Sequence, residues 1–479
     1  MRSADINTKS VFKGAVILSA GGVIAKIAGA AYRIPLTNLL GAEGMGLYHM
    51  IFPFYALLLA ATSSGIPAAL SRLIAEKLAA KDYSGADRLF KAAYIIISAA
   101  GLVFSLGLFF LAKVIANIQG NALAAQGYRM IAPGVFFVSQ IAVIRGYFQG
   151  RADMAPTALS QIAEQGIKIL FAFTVAIKFL PDLVKAVSYS ILAVTVSEFA
   201  ALILLLLLYN KDKKNRKYIP DNSKRLTGLT KYIGAVIAVS LPLTVSSTIF
   251  PLSSIIDSAL ILNTLPKYFS GNVLELYGLL CGPVNSLIGF PAVITSAVAV
   301  SSIPAVSAAM QKGDALQIRR KAEFALKLTL IIALPAAAGL FVFSREIINL
   351  LYGRLNENQA EIAAQLVKIS ALSVLFLSVM QTAVSILISL KKAFIASANL
   401  VIAVILKIAL SAVMLSNPAL NIGGSAISGV ICYFTAAMLN MLYLIKYLNS
   451  PISPSVYIKP LVCGAAAVIF AAVAFAALS

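Results

Sequence analysis

The sequence has no tryptophan, one histidine and three cysteines in 479 residues, and its Asp and Glu together number only 18. With His49 as the lone histidine, no His-His metal pair or histidine relay can be built. Cys281, Cys432 and Cys463 fall in apolar stretches without CxxC spacing, so they read as small core residues and support neither disulfides nor a zinc site. GxSxG, Walker and HExxH motifs are missing, which removes the common nucleophilic, nucleotide-driven and metal-hydrolase chemistries. A non-enzyme without a cofactor is expected. Its energy source is then a coupling ion, the membrane potential or the substrate's own gradient.

Charge is the other scarcity. Only 12% of the chain is charged, against about 25% in soluble globular proteins. Hydrophobic residues make up 60% of it, and the mean hydropathy is +0.91. That leaves too little polar surface to solvate a globule. Apolar runs of about 18 to 25 residues recur, each long enough to cross a hydrocarbon core of about 30 Å as a helix. The runs are continuously apolar and do not alternate, so helices are expected and barrel strands are not. The fold class is therefore all-α and polytopic, a multi-pass membrane protein.

Thirteen transmembrane helices are expected, from 11–40 through 46–76 and 273–309 to 458–478. Of the 39 Lys and Arg, 26 fall at the N-terminus and in every second loop, six in the opposite loops and seven within helices. The asymmetry places the N-terminus in the cytoplasm. It also accounts for the net charge of +21 without nucleic acid as a partner. The first segment is too long for a signal peptide and is expected to be retained.

The halves repeat. GLYHMIFPF at 46–54 has a counterpart in ELYGLLCGP at 275–283, and SGIPAALSRLIAEKL at 64–78 in SSIPAVSAAMQKGD at 301–314. An offset of 239 residues also places Phe137 on Phe376, Ser139 on Ser378 and Lys168 on Lys407. Residues 1–209 are thus expected to form one six-helix bundle, 210–230 a basic cytoplasmic linker, 231–449 a second bundle and 450–479 an additional transmembrane helix. Two copies in one orientation put a substrate site between the bundles.

A charge at mid-bilayer costs about 2.5–3.5 kcal/mol on insertion scales, so ionisable residues inside apolar runs are candidates for function. Lys26 and Arg33 lie seven residues apart on the first helix, two turns that return them to one face. Glu164 and Lys168 have the i, i+4 order of a pair on one helix. Lys407 has Ala403 at its own i−4 position and must find an acid elsewhere, water or an anionic ligand. Asp257 and Glu198 are the acids expected to be buried. For Asp257 three readings stand: neutralising Arg33, binding a coupling ion, or a plain interhelical pair. The prolines within apolar spans, among them Pro53, Pro67, Pro283, Pro291, Pro304 and Pro335, are expected to bend their helices.

YRIPLTNLLGAEGMGLYHMIFPF, SGIPAALSRLIAE, RGYFQGRADMAPTALSQIAEQ and LYGLLCGPVNSLIGFPAVITSAVAVSSIPAVSAA resemble the polysaccharide biosynthesis branch of the multidrug/oligosaccharidyl-lipid/polysaccharide (MOP) exporter superfamily, its stage V sporulation protein B-like and MurJ-type lipid II flippase members above all. The resemblance implies a V-shaped, MATE- and MurJ-like pair of bundles in a bacterial cytoplasmic membrane. It implies a flippase moving an undecaprenyl-pyrophosphate-linked cell-wall precursor by alternating access, acting as a monomer among membrane lipids. On it, Lys26 and Arg33 match the family's basic helix 1; Lys407 and Asp257, singled out as charges in apolar runs, complete the expected substrate-binding set. SALILNTLPK after Asp257 departs from the family by lacking arginine there. A MATE-type cation-coupled drug exporter is the main rival, and a membrane-embedded glycosyltransferase or polymerase a weaker one.

Overall fold

The computed structural model describes residues 21–22, 24–25, 27–214, 229–448 and 452–478. Residues 1–20, Lys26 and most of the basic linker lie outside them, and with them the start of the first expected helix. The described chain is helical, without a strand among the described residues: α1 (Arg33–Ser63), α2 (Ile66–Ala79), α3 (Tyr83–Ile118), α4 (Ala125–Gly150), α5 (Ala155–Phe179), α6 (Leu183–Lys214), α7 (Leu229–Thr264), α8 (Val273–Leu279), a π turn (Leu280–Val284), α9 (Asn285–Gln311), α10 (Ala315–Val342), α11 (Ser344–Leu351), α12 (Glu357–Ser389), α13 (Ala393–Leu415), α14 (Gly423–Leu448) and α15 (Ser455–Leu478).

Among the described residues, eleven helical stretches are long and apolar enough to cross a membrane. The count of thirteen is not reproduced, for two local reasons. Ile27–Ala79 is one continuous stretch, and α5 is made less apolar by Gln161, Glu164, Gln165 and Lys168. Faces that would be untenable in water fit lipid: α3 exposes Val103, Phe104, Phe110 and Leu111 along its length.

Two compact units emerge. One comprises Met1–Gly29 and Met50–Ile255, the other Ala30–His49 and Ile256–Ser479. In the first, α4 packs against α2, α3 and α6, while α5 packs on α6 and α2 on α3. In the second, α12 packs against α9, α10 and α14, while α13 packs on α14 and α9 on α10. Each unit therefore has the same scheme of neighbours, with α15 added on α10 in the second. Leu70, Phe90, Tyr147 and Leu205 centre the first core, and Leu326, Ile386, Leu387 and Leu444 the second.

The repeat extends to backbone detail. Ala152 and Lys391, 239 residues apart, both occupy the left-handed region at φ 60° and 58°, ending α4 and α12 alike. The α2–α3 and α9–α10 turns match in the same way: Lys81 and Gly313 have positive φ, and Asp82 and Asp314 cap the next helix by accepting from Gly85 and Gln317. A hydrogen bond from Lys77 holds the Asp82 carboxyl below the usual carboxylate range, helped by the cap itself.

Three features differ from the expected spans. Pro67 starts a helix and does not bend one: α1 ends at Ser63, and Pro67 sits in the first turn of α2, where its missing N–H is no loss. Between α10 and α12, where no expected transmembrane span falls, stands the short helix α11. Between the first two expected helices there is no loop, only Gly41 at φ 69° and ψ −179°, inside α1. That conformation is essentially confined to glycine. Nothing lies within 4 Å of a Cβ built at Gly41, so Gly41→Ala tests backbone strain free of crowding. It should cost about 1–3 kcal/mol, read as a lowered melting temperature of the purified protein.

Candidate functional site

The segment carrying Arg33 belongs to the second unit, and glycine holds it there. A Cβ on Gly278 of α8 would come within 1.7 Å of the Ala42 carbonyl oxygen, and one on Gly46 within 2.3 Å of the Leu274 carbonyl. Two backbones thus touch where side chains would part them. Around this contact the Asn38 amide donates to the Leu351 carbonyl at 2.7 Å, and the Tyr277 hydroxyl to the His49 carbonyl at 3.2 Å. Tyr32 and Tyr48 share a hydroxyl hydrogen bond of 2.7 Å across the Gly41 break.

Arg33 is half-buried there. Its charge reaches Tyr32, Tyr48, His49 and Tyr352, and among the described residues no carboxylate pairs with it. The Tyr352 hydroxyl and Ser286 Oγ lie side by side. The two hydroxyls face each other and have no further hydrogen-bond partner, while Asn38 Oδ1 and His49 Nε2 are buried without one. An unpaired guanidinium beside buried hydroxyl and ring-nitrogen groups that keep spare hydrogen-bonding capacity can receive an anion that also accepts hydrogen bonds.

Lys407 of α13 pairs with Asp257 of α7. Of the options left open by sequence, Lys407 has therefore found an acid on another helix, and Asp257 is neutralised by Lys407 and not by Arg33. Their side chains keep 17% and 13% of their exposure, and Asp257 Oδ1 is buried without a partner. Cys281, on the π turn, lies within electrostatic reach of Asp257, Lys407 and Arg33 together. Three of the four sequence-derived residues thus converge in one unit, on α1, α7 and α13. Lys26 lies outside the described residues. The π turn is itself a break often met at functional positions.

The first unit holds a second buried charge group. Arg145 donates to Ser160 Oγ and to Glu164 Oε2, each at 3.0 Å. Glu198, 5% exposed, accepts from the Tyr55 hydroxyl at 3.4 Å and feels Glu164, Arg145 and Lys168. Arg145 is thus a structural partner of Glu164 across helices, although i, i+4 spacing pointed to Lys168 alone. Sequence reading passed over Asn38, Ser286 and Tyr352, whose one signal was polarity within apolar segments, and weighed His49 only as a lone histidine without a second ligand. No cluster able to hold a metal ion occurs among the described residues.

The arrangement is that of a multi-pass membrane protein with the transporter fold of the MOP superfamily. A multidrug resistance MATE family transporter of that superfamily, solved in an inward-facing conformation, superposes with a TM-score of 0.75 at 17% identity over 91% of this chain and 98% of its own. A MOP superfamily transporter from Pyrococcus furiosus, described as having a binding pocket of reversed polarity, superposes with a TM-score of 0.59 at 17% identity over 92% and 97%. The chain belongs to the polysaccharide biosynthesis protein family, whose model matches residues 11–310. It is 28% identical to stage V sporulation protein B of Bacillus subtilis (strain 168), over 88% of this chain and 80% of that protein. It is 25% identical to lipid II flippase MurJ of the same organism, over 84% and 77%.

Proposed function

We propose that this protein is a flippase that carries an undecaprenyl-pyrophosphate-linked cell-wall precursor, lipid II or a related lipid-linked oligosaccharide, across a bacterial cytoplasmic membrane. The observation that carries this reading is Arg33, a cation without a carboxylate partner among the described residues, set amid buried hydroxyls inside a membrane bundle. A guanidinium left unpaired in such a place is costly unless an anion completes it, and pyrophosphate fits its planar fork. The names of the two Bacillus relatives support the substrate class. Lys26, two turns earlier, is assigned to the same headgroup. The N-terminus is assigned to the cytoplasm on the loop charges, and the chain works as a monomer among membrane lipids by alternating access between its two homologous bundles. Because Asp257 already carries the tethered cation Lys407, we assign the driving force to the inside-negative potential, which moves negative charge outward with about 2.3 kcal/mol per charge per 100 mV.

Arg33→Ala should lower transport by roughly 10- to 100-fold, the worth of one charge-assisted hydrogen bond at about 1.5–3 kcal/mol. Arg33→Lys should restore part of it, since charge returns without the bidentate fork. Complementation of a strain depleted of its lipid II flippase, with membrane abundance of each variant matched, is the measurement. Wild-type growth with Arg33→Ala would remove the headgroup assignment. A drug exporter is the second reading, for which the buried acids Glu164 and Glu198 speak. Failure of complementation together with Glu198-dependent efflux of a cationic dye would favour it.

A further inference from the structure

We infer that Asp257 is an affinity-limiting residue: by holding Lys407 in an ion pair, it keeps the anion site from acting with its full positive charge. This rests on the anionic-headgroup reading above and assigns unequal parts to the three charges. Arg33 attracts the ligand, Lys407 stands near it, and Asp257 subtracts from both.

The pair is poorly explained as a device for stability. Replacing a buried ion pair by apolar groups of similar volume is often neutral or stabilising. Nor is this one completed as a structural pair would be, since Asp257 Oδ1 is buried without a donor and both side chains keep residual exposure. Its location is informative. The π turn packs on α1 one turn past Arg33: a Cβ at Gly282 would stand 3.5 Å from Thr37 Cγ2, and the Thr37 hydroxyl donates to the Arg33 carbonyl at 2.8 Å. Cys281, next to Gly282, lies within reach of the Asp257 and Lys407 charges as well, so an anion held by Arg33 feels the pair. Lys407 also has Ala403 where its repeat partner Lys168 has Glu164, so its acid has been recruited from α7, 150 residues away.

A carrier must bind firmly enough to select its substrate and weakly enough to release it. Arg33 with an unopposed Lys407 would present two positive charges to one headgroup. The Asp257 carboxylate reduces that sum to one. Removing the carboxylate should therefore tighten binding and slow release, a split that structural damage does not produce.

The test uses the full-length protein in detergent, titrated with inorganic pyrophosphate and followed by its melting temperature, beside flippase complementation in cells. Asp257→Asn should bind pyrophosphate about 10- to 30-fold more tightly than wild type, as expected for one charge at this range in a partly solvated site. It should also complement less well. Adding Lys407→Gln to Asp257→Asn should return the affinity toward the wild-type value. If Asp257→Asn does not fold alone, the comparison is between Lys407→Gln and the double variant, where loss of the carboxylate should again tighten binding. Affinity unchanged or weakened on removing the carboxylate, with Arg33→Ala still abolishing binding, would overturn the role of Asp257 and leave the headgroup reading standing. Arg33→Ala binding as well as wild type, or no binding by any variant, would overturn both.

Discussion

Gly278→Ala is expected to leave little folded protein, although it adds a single methyl group. The new Cβ would stand 1.7 Å from the Ala42 carbonyl oxygen and 2.8 Å from the Gly46 nitrogen. Both are backbone atoms, so no side chain can swing aside and the two segments must separate. Overpacking a core with one extra methylene costs about 1–3 kcal/mol where side chains can yield, and here they cannot. Separation would also withdraw Arg33, because residues 30–49 are held to the second unit by this contact and by the hydrogen bonds from Asn38 and Tyr277. Gly289→Ala provides the control. Nothing lies within 4 Å of a Cβ at Gly289 in α9, and alanine is favoured over glycine in a helix by up to about 1 kcal/mol. Monodisperse yield and melting temperature should collapse for Gly278→Ala and hold or rise for Gly289→Ala. Equal behaviour of the two variants would show that the close approach does not hold the segment.

What could be read from the sequence follows from which interactions are local. Apolar runs announce helices because their length and continuity are properties of the chain itself, and the 239-residue offset that joins Lys168 to Lys407 reappears as the paired left-handed turns at Ala152 and Lys391. Gly41 was less legible, since a single glycine can replace a loop only when its neighbours continue as helix. Helix α11 escaped because eight mixed residues between longer apolar spans resemble a polar connection. The site divides along the same line. Arg33, Asp257 and Lys407 stand out as charges in apolar text, but the meeting of Lys407 with Asp257 depends on packing between α7 and α13. The membership of residues 30–49 in the second unit was illegible for a related reason: it is decided by the fit of Gly46 and Gly278, and glycine pairs leave no periodic signal.

Arg145→Met should be the most destabilising change in the first unit. Arg145 and Glu164 are each 16% exposed, so the arginine answers a carboxylate that water barely reaches, with Glu198 buried nearby at 5% exposure. Removing one member of a buried pair costs about 3–5 kcal/mol because the remaining charge is stranded. Methionine fills most of the arginine stem's volume, which confines the loss to charge and hydrogen bonds, including the one to Ser160. Adding Glu164→Gln to Arg145→Met removes the stranded charge and should recover most of the melting temperature, whereas Glu164→Gln alone should cost less than Arg145→Met. Lys168, whose charge also acts on Glu198, then becomes the principal cation of the group, so Lys168→Met should be far more harmful in the Arg145→Met background than in the wild type. Such non-additivity is the mark of charges acting as one network. Additive losses in that cycle would show instead that Arg145 and Lys168 serve separate acids.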